Sequence, residues 1–232
     1  MRRINPLFIL RRTSTILAVS ILTLTLVSAL TGLLVAINYQ PIAGGAYESL
    51  QHITQQVEFG WLVQGLHKYA GNFVIALGLI QLVVMFLGRQ FRRSWLTGWI
   101  SGIFLILAAI GLDWTAIGLA WTQEGFWRLK IELGTIEAIP FIGSTLREIV
   151  TGGGGISTST LLRLYTLHSY VLSVGAIGLA IAHLVGILWQ DRQEQQAQEE
   201  QRKLKVETTL NRLIEEKDRL DAATQKESAS QS

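Results

Sequence analysis

Four stretches of this chain contain no Asp, Glu, Lys or Arg: residues 13–47, 69–88, 94–112 and 164–190. Each reaches the roughly 18–20 residues a helix needs to cross the hydrocarbon core of a bilayer. In lipid every backbone N–H and C=O must find a partner within the protein, so apolar runs of this length fold as helices. The first begins too far in and runs too long for a cleaved signal peptide, and further spans follow it. The expectation is an all-α membrane protein, a four-helix transmembrane bundle with helices near residues 15–37, 66–88, 95–114 and 164–189. The three prolines, Pro6, Pro41 and Pro140, fall outside all four.

Charge is scarce and unevenly placed. Charged residues make up 16% of the 232 residues, against about 25% in an ordinary soluble domain. Residues 191–232 hold 10 acidic and 8 basic side chains, nearly half of all the charge. This divides the chain into a transmembrane domain, residues 1–190, and a charged helical or partly disordered tail, residues 191–232. Short basic clusters then set direction. The N-terminus carries Arg2, Arg3, Arg11 and Arg12, and the loop between spans two and three carries Arg89, Arg92 and Arg93. Residues 38–67 hold only Glu48 and Glu58. Both termini are therefore expected on the cytoplasmic side, with spans two and four running inward. Arginine clusters at the ends of apolar spans also exclude nucleic acid as the partner of the net +3 charge; the partner is the lipid membrane.

The outer connection 115–163 mixes Trp121, Phe126, Trp127 and Phe141 with Arg128, Lys130, Glu132 and Glu137, a pattern suited to interfacial amphipathic helices. Gly152–Gly155 reads as a flexible linker, since no Lys-Ser/Thr follows to make a phosphate loop. In the tail, Val206, Leu210, Leu213 and Leu220 approach heptad spacing, but Lys217 interrupts them. Two heptads fall short of a coiled coil. The tail reads as a solvated cytoplasmic helix that docks on a partner and frays over its last ten residues.

The chemistry-bearing residues are few. There is no cysteine, which excludes disulfides, thiolate zinc, iron–sulfur clusters and thioether-linked cofactors. Of four histidines, His52 lies in the outer loop as a surface residue. His67, His168 and His183 lie in or at the edge of spans, where ionisable groups are costly and usually functional. The plainer reading of any one is a hydrogen bond to a neighbouring helix. Spans two and four run the same way, however, and His67 and His168 fall at matching depth, one on each, as the two axial ligands of a haem require. His183 lies 15 residues further on, about 22 Å deeper on a similar face. Its counterpart on span two, 14 residues after His67, is Gln81. The outer side thus has a full His/His pair and the inner side a half-pair. A bis-histidine haem has no open coordination position and moves single electrons. Three histidines at two depths do not converge on one zinc or copper ion.

Short motifs then place the chain. Thr31-Gly32, NYQP (38–41), AYESLQ (46–51), FGWLVQGLHKY (59–69), LAWTQEGFW (119–127), EAIPFIGS (137–144) and STLLRLYTLH (159–168) stand in order. Over residues 15–188 the chain resembles cytochrome b6, the N-terminal half of the cytochrome b family of quinol-oxidising complexes. That resemblance implies a haem-binding bundle with His67 and His168 on the outer haem b. It sets Lys68 and Arg163 beside those ligands to balance propionates, and Gly32 and Gly102 where haem edges approach the backbone. It also implies links to quinol or quinone, with subunit IV-like, Rieske and c-type cytochrome partners in a bacterial plasma membrane or a thylakoid.

The chain departs from the pattern mainly on the inner side. Gln81 stands for the second histidine of span two, and Val84 and Leu188 stand for arginines. Ile16 is near the position of the family's haem-attaching cysteine. On the outer side, Gln64 replaces an arginine, and Ala120-Trp121-Thr122 replaces the Pro-Trp-Asp of the quinol site. The leading expectation is an electron-transfer protein that keeps the outer haem b and lacks a normal inner one, any oxidoreductase activity needing partner subunits. The alternatives are a divergent paralogue serving as a docking subunit, and a quinone reductase or sensor in which His183, as the ligand of a second haem iron, holds an open inner haem.

Overall fold

The computed structural model describes the backbone of residues 6–88 and 95–230, and side chains within residues 7–219 except 89–94. Arg2, Arg3, Arg89, Arg92 and Arg93 lie outside the described residues. Among the described residues eight α-helices follow in order: α1 Pro6–Asn38, α2 Ala46–Gln55, α3 Gly60–Leu87, α4 Leu96–Leu119, α5 Gln123–Glu137, α6 Gly143–Thr151, α7 Thr158–Thr166 and α8 Ser173–Ser230. A π turn, Leu167–Leu172, joins the last two without a break. The chain divides into two units, residues 1–187 and 188–232.

Among the described residues, four helices are long and apolar enough to cross a membrane: α1, α3, α4 and the run that starts at Thr158. Their outward faces carry exposed Leu30, Leu33, Phe73, Val83, Phe104, Leu107, Val174 and Val185. In water such faces would be untenable; against lipid tails they are the ordinary surface. The helices extend beyond the uncharged stretches. α1 opens at Pro6, whose missing N–H is tolerated at a first helical position, and α3 starts at Gly60 rather than near 66. Charge marks where hydrocarbon ends, and helices continue past that boundary.

Inside the first unit the core is layered. A middle layer packs Ile21, Val74, Leu105, Ala109, Ala176 and Ala180 from all four spans. Toward one end Ala46, Leu119, Leu129, Leu133, Leu161 and Leu164 form a second layer, beneath α2, α5 and the start of the last span. Toward the other end Ala18, Met85, Trp95 and Ile187 form a third. Two polar layers lie between these three, and they hold the candidate site. Close helix approach is set by glycine: a Cβ on Gly186 would stand 3.1 Å from the Gly98 nitrogen, so α8 and α4 cross backbone to backbone.

The connection between α4 and α7 is ordered by polar contacts. Thr122 caps α5, accepting from the Gly125 N–H at 3.0 Å. The Trp114 indole donates to Glu132 Oε2 at 2.6 Å, and Arg128 donates to Glu132 Oε1 at 2.8 Å. That contact with Glu132 raises the Arg128 pKa further. The Tyr39 hydroxyl donates to the Leu119 carbonyl at 2.7 Å, and its ring stacks on Tyr165. The segment expected as a glycine linker contains three successive left-handed residues, Gly152, Gly153 and Gly154, at φ 86°, 84° and 82°, a path that side-chain-bearing residues take only at a cost. Helix α2, with buried Ala46, Ser49 and Ile53, was not expected. Its ten residues bury one narrow face and expose the rest, too short a pattern to separate from a loop.

The second unit is the tail part of α8. Leu204, Val206, Leu210, Leu213 and Ile214 are all exposed along it. The backbone stays helical to Ser230, past the point where fraying was expected; the side chain of Leu220 lies outside the described residues.

Candidate functional site

His67 sits in the second turn of α3, against α1. Its Nδ1 lies 2.8 Å from the Ser28 carbonyl, which can only accept, so Nδ1 carries the proton. The ring is admitted by Gly32, where a Cβ would stand 2.7 Å from the ring Cε1. His168 comes from the π turn, its carbonyl accepting from the Ser173 N–H five residues on. Its Nδ1 lies 2.8 Å from the Thr115 hydroxyl of α4. The two imidazole rings face each other with centroids 6.1 Å apart and planes at 64°. An imidazole nitrogen binds a metal at about 2.0–2.1 Å and stands about 1 Å from its ring centre. One metal atom held between two such rings therefore separates their centroids by roughly 6 Å. The observed gap has that width.

The second polar layer has the same plan and a different outcome. Gln81 of α3 and His183 of α8 are each 1% exposed. His183 Nδ1 donates to the Gly98 carbonyl of α4 at 2.8 Å. Its Nε2 lies 3.3 Å from Gln81 Nε2, which also donates to the Ser14 hydroxyl of α1 at 3.0 Å. With Nδ1 protonated, His183 Nε2 accepts, and one amide closes the gap. The cavity left beside the pair, lined by Ile21, Gly78, Leu105 and Ile106, is about 10 Å³, the lower limit for one water. Gln81 Oε1 is buried without a partner.

The two layers are copies. Ser28 and Ser14 are fourteen residues apart on α1, as are His67 and Gln81 on α3. Fourteen residues is about 3.9 turns and 21 Å, which returns a side chain to nearly the same face. His168 and His183 are fifteen apart, which on an unbroken α-helix would turn the second about 100° past its partner's phase. The π turn takes up that extra residue. So the mismatch of 15 against 14, visible in the sequence, is the trace of a π turn that periodicity alone did not reveal.

The remaining expected residues fall as follows. Gly102 does for His183 what Gly32 does for His67: a Cβ there would lie 2.8 Å from the ring Cε1. Both glycines admit histidine rings. Lys68 is exposed next to His67. The Arg163 guanidinium donates to the Glu148 and Ile149 carbonyls, closing the end of α6. His52 is exposed on α2, its Nδ1 2.9 Å from Gln56 Oε1. Thr115, with 0% exposure, went unnoticed in the sequence, because a mid-span threonine ordinarily bonds its own helix. Among the described residues no three His, Asp or Glu side chains converge on a point that could hold a metal ion. A metal atom held between His67 and His168 would have to bring its other ligands with it.

The family model described as cytochrome b/b6/petB matches residues 11–190. The chain is 34% identical to cytochrome b6 of Cyanidium caldarium over 72% of its own length and 77% of that protein. It is 33% identical to cytochrome b6 of Synechococcus elongatus over 65% and 70%. A solved chain of a hyperthermophilic respiratory Complex III superimposes with a TM-score of 0.66 at 20% identity, over 75% of this chain and 47% of that one. The present chain thus spans about half of that neighbour, which shares its fold.

Proposed function

Since the chain belongs to the cytochrome b/b6 family, we propose that it is a membrane electron-transfer protein carrying one haem b between His67 and His168. The observation that carries this reading is the contrast between the layers: a metal-wide 6.1 Å separation of the His67 and His168 rings, and a direct 3.3 Å contact between Gln81 and His183. Two imidazoles with no third protein ligand suit a tetrapyrrole iron, whose other four ligands come with it. When bound, the haem supplies a one-electron couple. The protein's part is to hold both imidazoles by Nδ1, keep both Nε2 lone pairs directed at the gap, and exclude water with the apolar layers above and below. Gln81 stands opposite His183 with its amide on His183 and Ser14, so this layer would not hold a normal inner haem. An inner haem on His183 alone would first have to break that bond.

The function is linked to quinol or quinone electron transport, in a membrane complex with subunit IV-like, Rieske or c-type cytochrome partners. Both termini face the cytoplasm of a bacterial plasma membrane or its thylakoid equivalent. Residues 1–190 form the haem domain and 191–232 a docking tail. The tail lies wholly beyond the residues that match the family, which favours a second reading, a cytochrome b6 paralogue specialised as a docking subunit. Lys68 remains available to a propionate; Arg163 would have to leave the α6 carbonyls to serve one.

Pyridine haemochrome quantification per purified chain tests the proposal. One haem with a low-spin α band is expected, lost in His67→Ala and His168→Ala and kept in His183→Ala. No haem, or two per chain, would overturn it.

A further inference from the structure

We infer that Thr115 is the positioning residue that fixes the tautomer of His168 and tunes its strength as an iron ligand, a role that rests on the haem reading above. Hydroxyls along the spans mostly bond the carbonyl four residues back, as Ser20, Thr23 and Thr25 do. Thr115 does the same, at 2.8 Å from the Gly111 carbonyl and 2.9 Å from that of Leu112. Its oxygen also stands 2.8 Å from His168 Nδ1.

A hydroxyl has one proton. Spent on either carbonyl, it leaves the oxygen as an acceptor, so His168 must carry its proton on Nδ1 and present a bare Nε2 to the gap. Were the hydroxyl turned onto Nδ1 instead, the ring proton would sit on Nε2, between the rings, and block ligation. Thr115 therefore acts twice: it aims the ring, and by drawing on the Nδ1 proton it makes Nε2 more electron-rich, which favours ferric iron.

The two ligands differ in how this is done. His67 is held by a backbone carbonyl, Ser28, which no side-chain substitution removes. His168 is held by the Thr115 hydroxyl, a side chain from another helix 53 positions away in sequence, with the Leu112 carbonyl of the same turn also bonded to the ring. The Thr115 hydroxyl, at 2.8 Å, is thus the nearest side-chain partner of either Nδ1; the Ser28 hydroxyl stands 3.4 Å from that of His67. Thr115 is fully buried, and its β-branched shape is matched by valine, so Thr115→Val deletes the hydroxyl and little else; Thr115→Ser restores it.

The test uses the full chain in detergent or nanodiscs. Optical redox titration of Thr115→Val should show the haem midpoint displaced upward by a tenfold change in the ferric/ferrous preference, about 59 mV for one electron, with Thr115→Ser close to wild type. Haem retention should fall 10–100-fold in the valine variant and recover in the serine variant. An unchanged midpoint and retention in Thr115→Val would overturn the inference while leaving the haem assignment intact. Haem-free protein labelled with 15N-histidine gives an independent readout. His168 should show a protonated Nδ1 and an unprotonated Nε2 in wild type and in Thr115→Ser. The opposite tautomer would overturn the inference. A wild-type chain that bound no haem would refute the functional reading through a separate measurement.

Discussion

Gly32→Ala and Gly102→Ala form a matched pair whose outcomes should diverge. An added Cβ at 32 would lie 2.7 Å from His67 Cε1 and 3.0 Å from Nδ1; at 102 it would lie 2.8 and 2.9 Å from the same atoms of His183. Ordinary contact begins at 3.4 Å, so each ring must retreat by about 0.6–0.7 Å, beyond the roughly 0.5 Å within which a ligand constellation stays productive. Neither ring moves freely, because each Nδ1 is held by a carbonyl at 2.8 Å. Overpacking costs about 1–3 kcal/mol, and alanine returns about 1 kcal/mol of helix propensity, so both variants should fold with a net loss near 2 kcal/mol or less. What separates them is the haem. Gly32→Ala should release it 10–100-fold more readily and broaden the low-spin α band. Gly102→Ala, which disturbs only the Gln81/His183 layer, should keep it. The assay is haem per purified chain together with the rate of haem loss to excess apomyoglobin. Wild-type behaviour in Gly32→Ala would refute the steric reasoning, and haem loss in Gly102→Ala would refute the independence of the two layers.

Other perturbations are equally direct. Gln81→Leu removes two donated bonds and also the buried, unpartnered Oε1; the opposing terms should leave thermal stability within about 1 kcal/mol of wild type and haem at one per chain. A loss above about 3 kcal/mol would show that the amide holds the bundle together. Tyr39 is half-buried with its hydroxyl on the Leu119 carbonyl, and burial, followed by the neighbouring Tyr165, raises its pKa above the ordinary phenol range. A raised folded pKa means its contribution is complete below about pH 10 and is lost as pH climbs toward the folded value. Tyr39→Phe should cost about 1 kcal/mol near neutral pH and flatten the alkaline limb of a stability–pH profile; an unaltered limb would assign it to another group. Deleting residues 191–232 should leave the haem spectrum unchanged, since no site residue comes from the tail, and should alter which membrane proteins co-purify. The same partners with and without the tail would count against docking.

How much of this was legible beforehand depends on the range over which each signal acts. The spans could be read because absence of charge over some twenty residues is a bulk property. The pairing of His67 with His168 could be read because helix direction and depth follow from the same charges. Gln81 opposite His183 followed from counting. What stayed hidden was local or distant. α2 is too short to show a period. The π turn is an exception to the period that any count assumes. Thr115 meets His168 only once four helices are assembled, and nothing in its own neighbourhood distinguishes it from Thr25. The direct Gln81–His183 bond was equally out of reach, because a missing ligand in sequence does not say whether its place stands open or is filled.

The π turn leaves the chain with a spare residue. Removing one residue between His168 and Ser173 would convert the turn to regular α-helix and restore a fourteen-residue interval that already matches the geometry. A deletion is ordinarily ruinous in a transmembrane helix, because everything downstream swings by a hundred degrees. Here the last span has a slack joint at the site itself, where length can change while the aim of His183 does not.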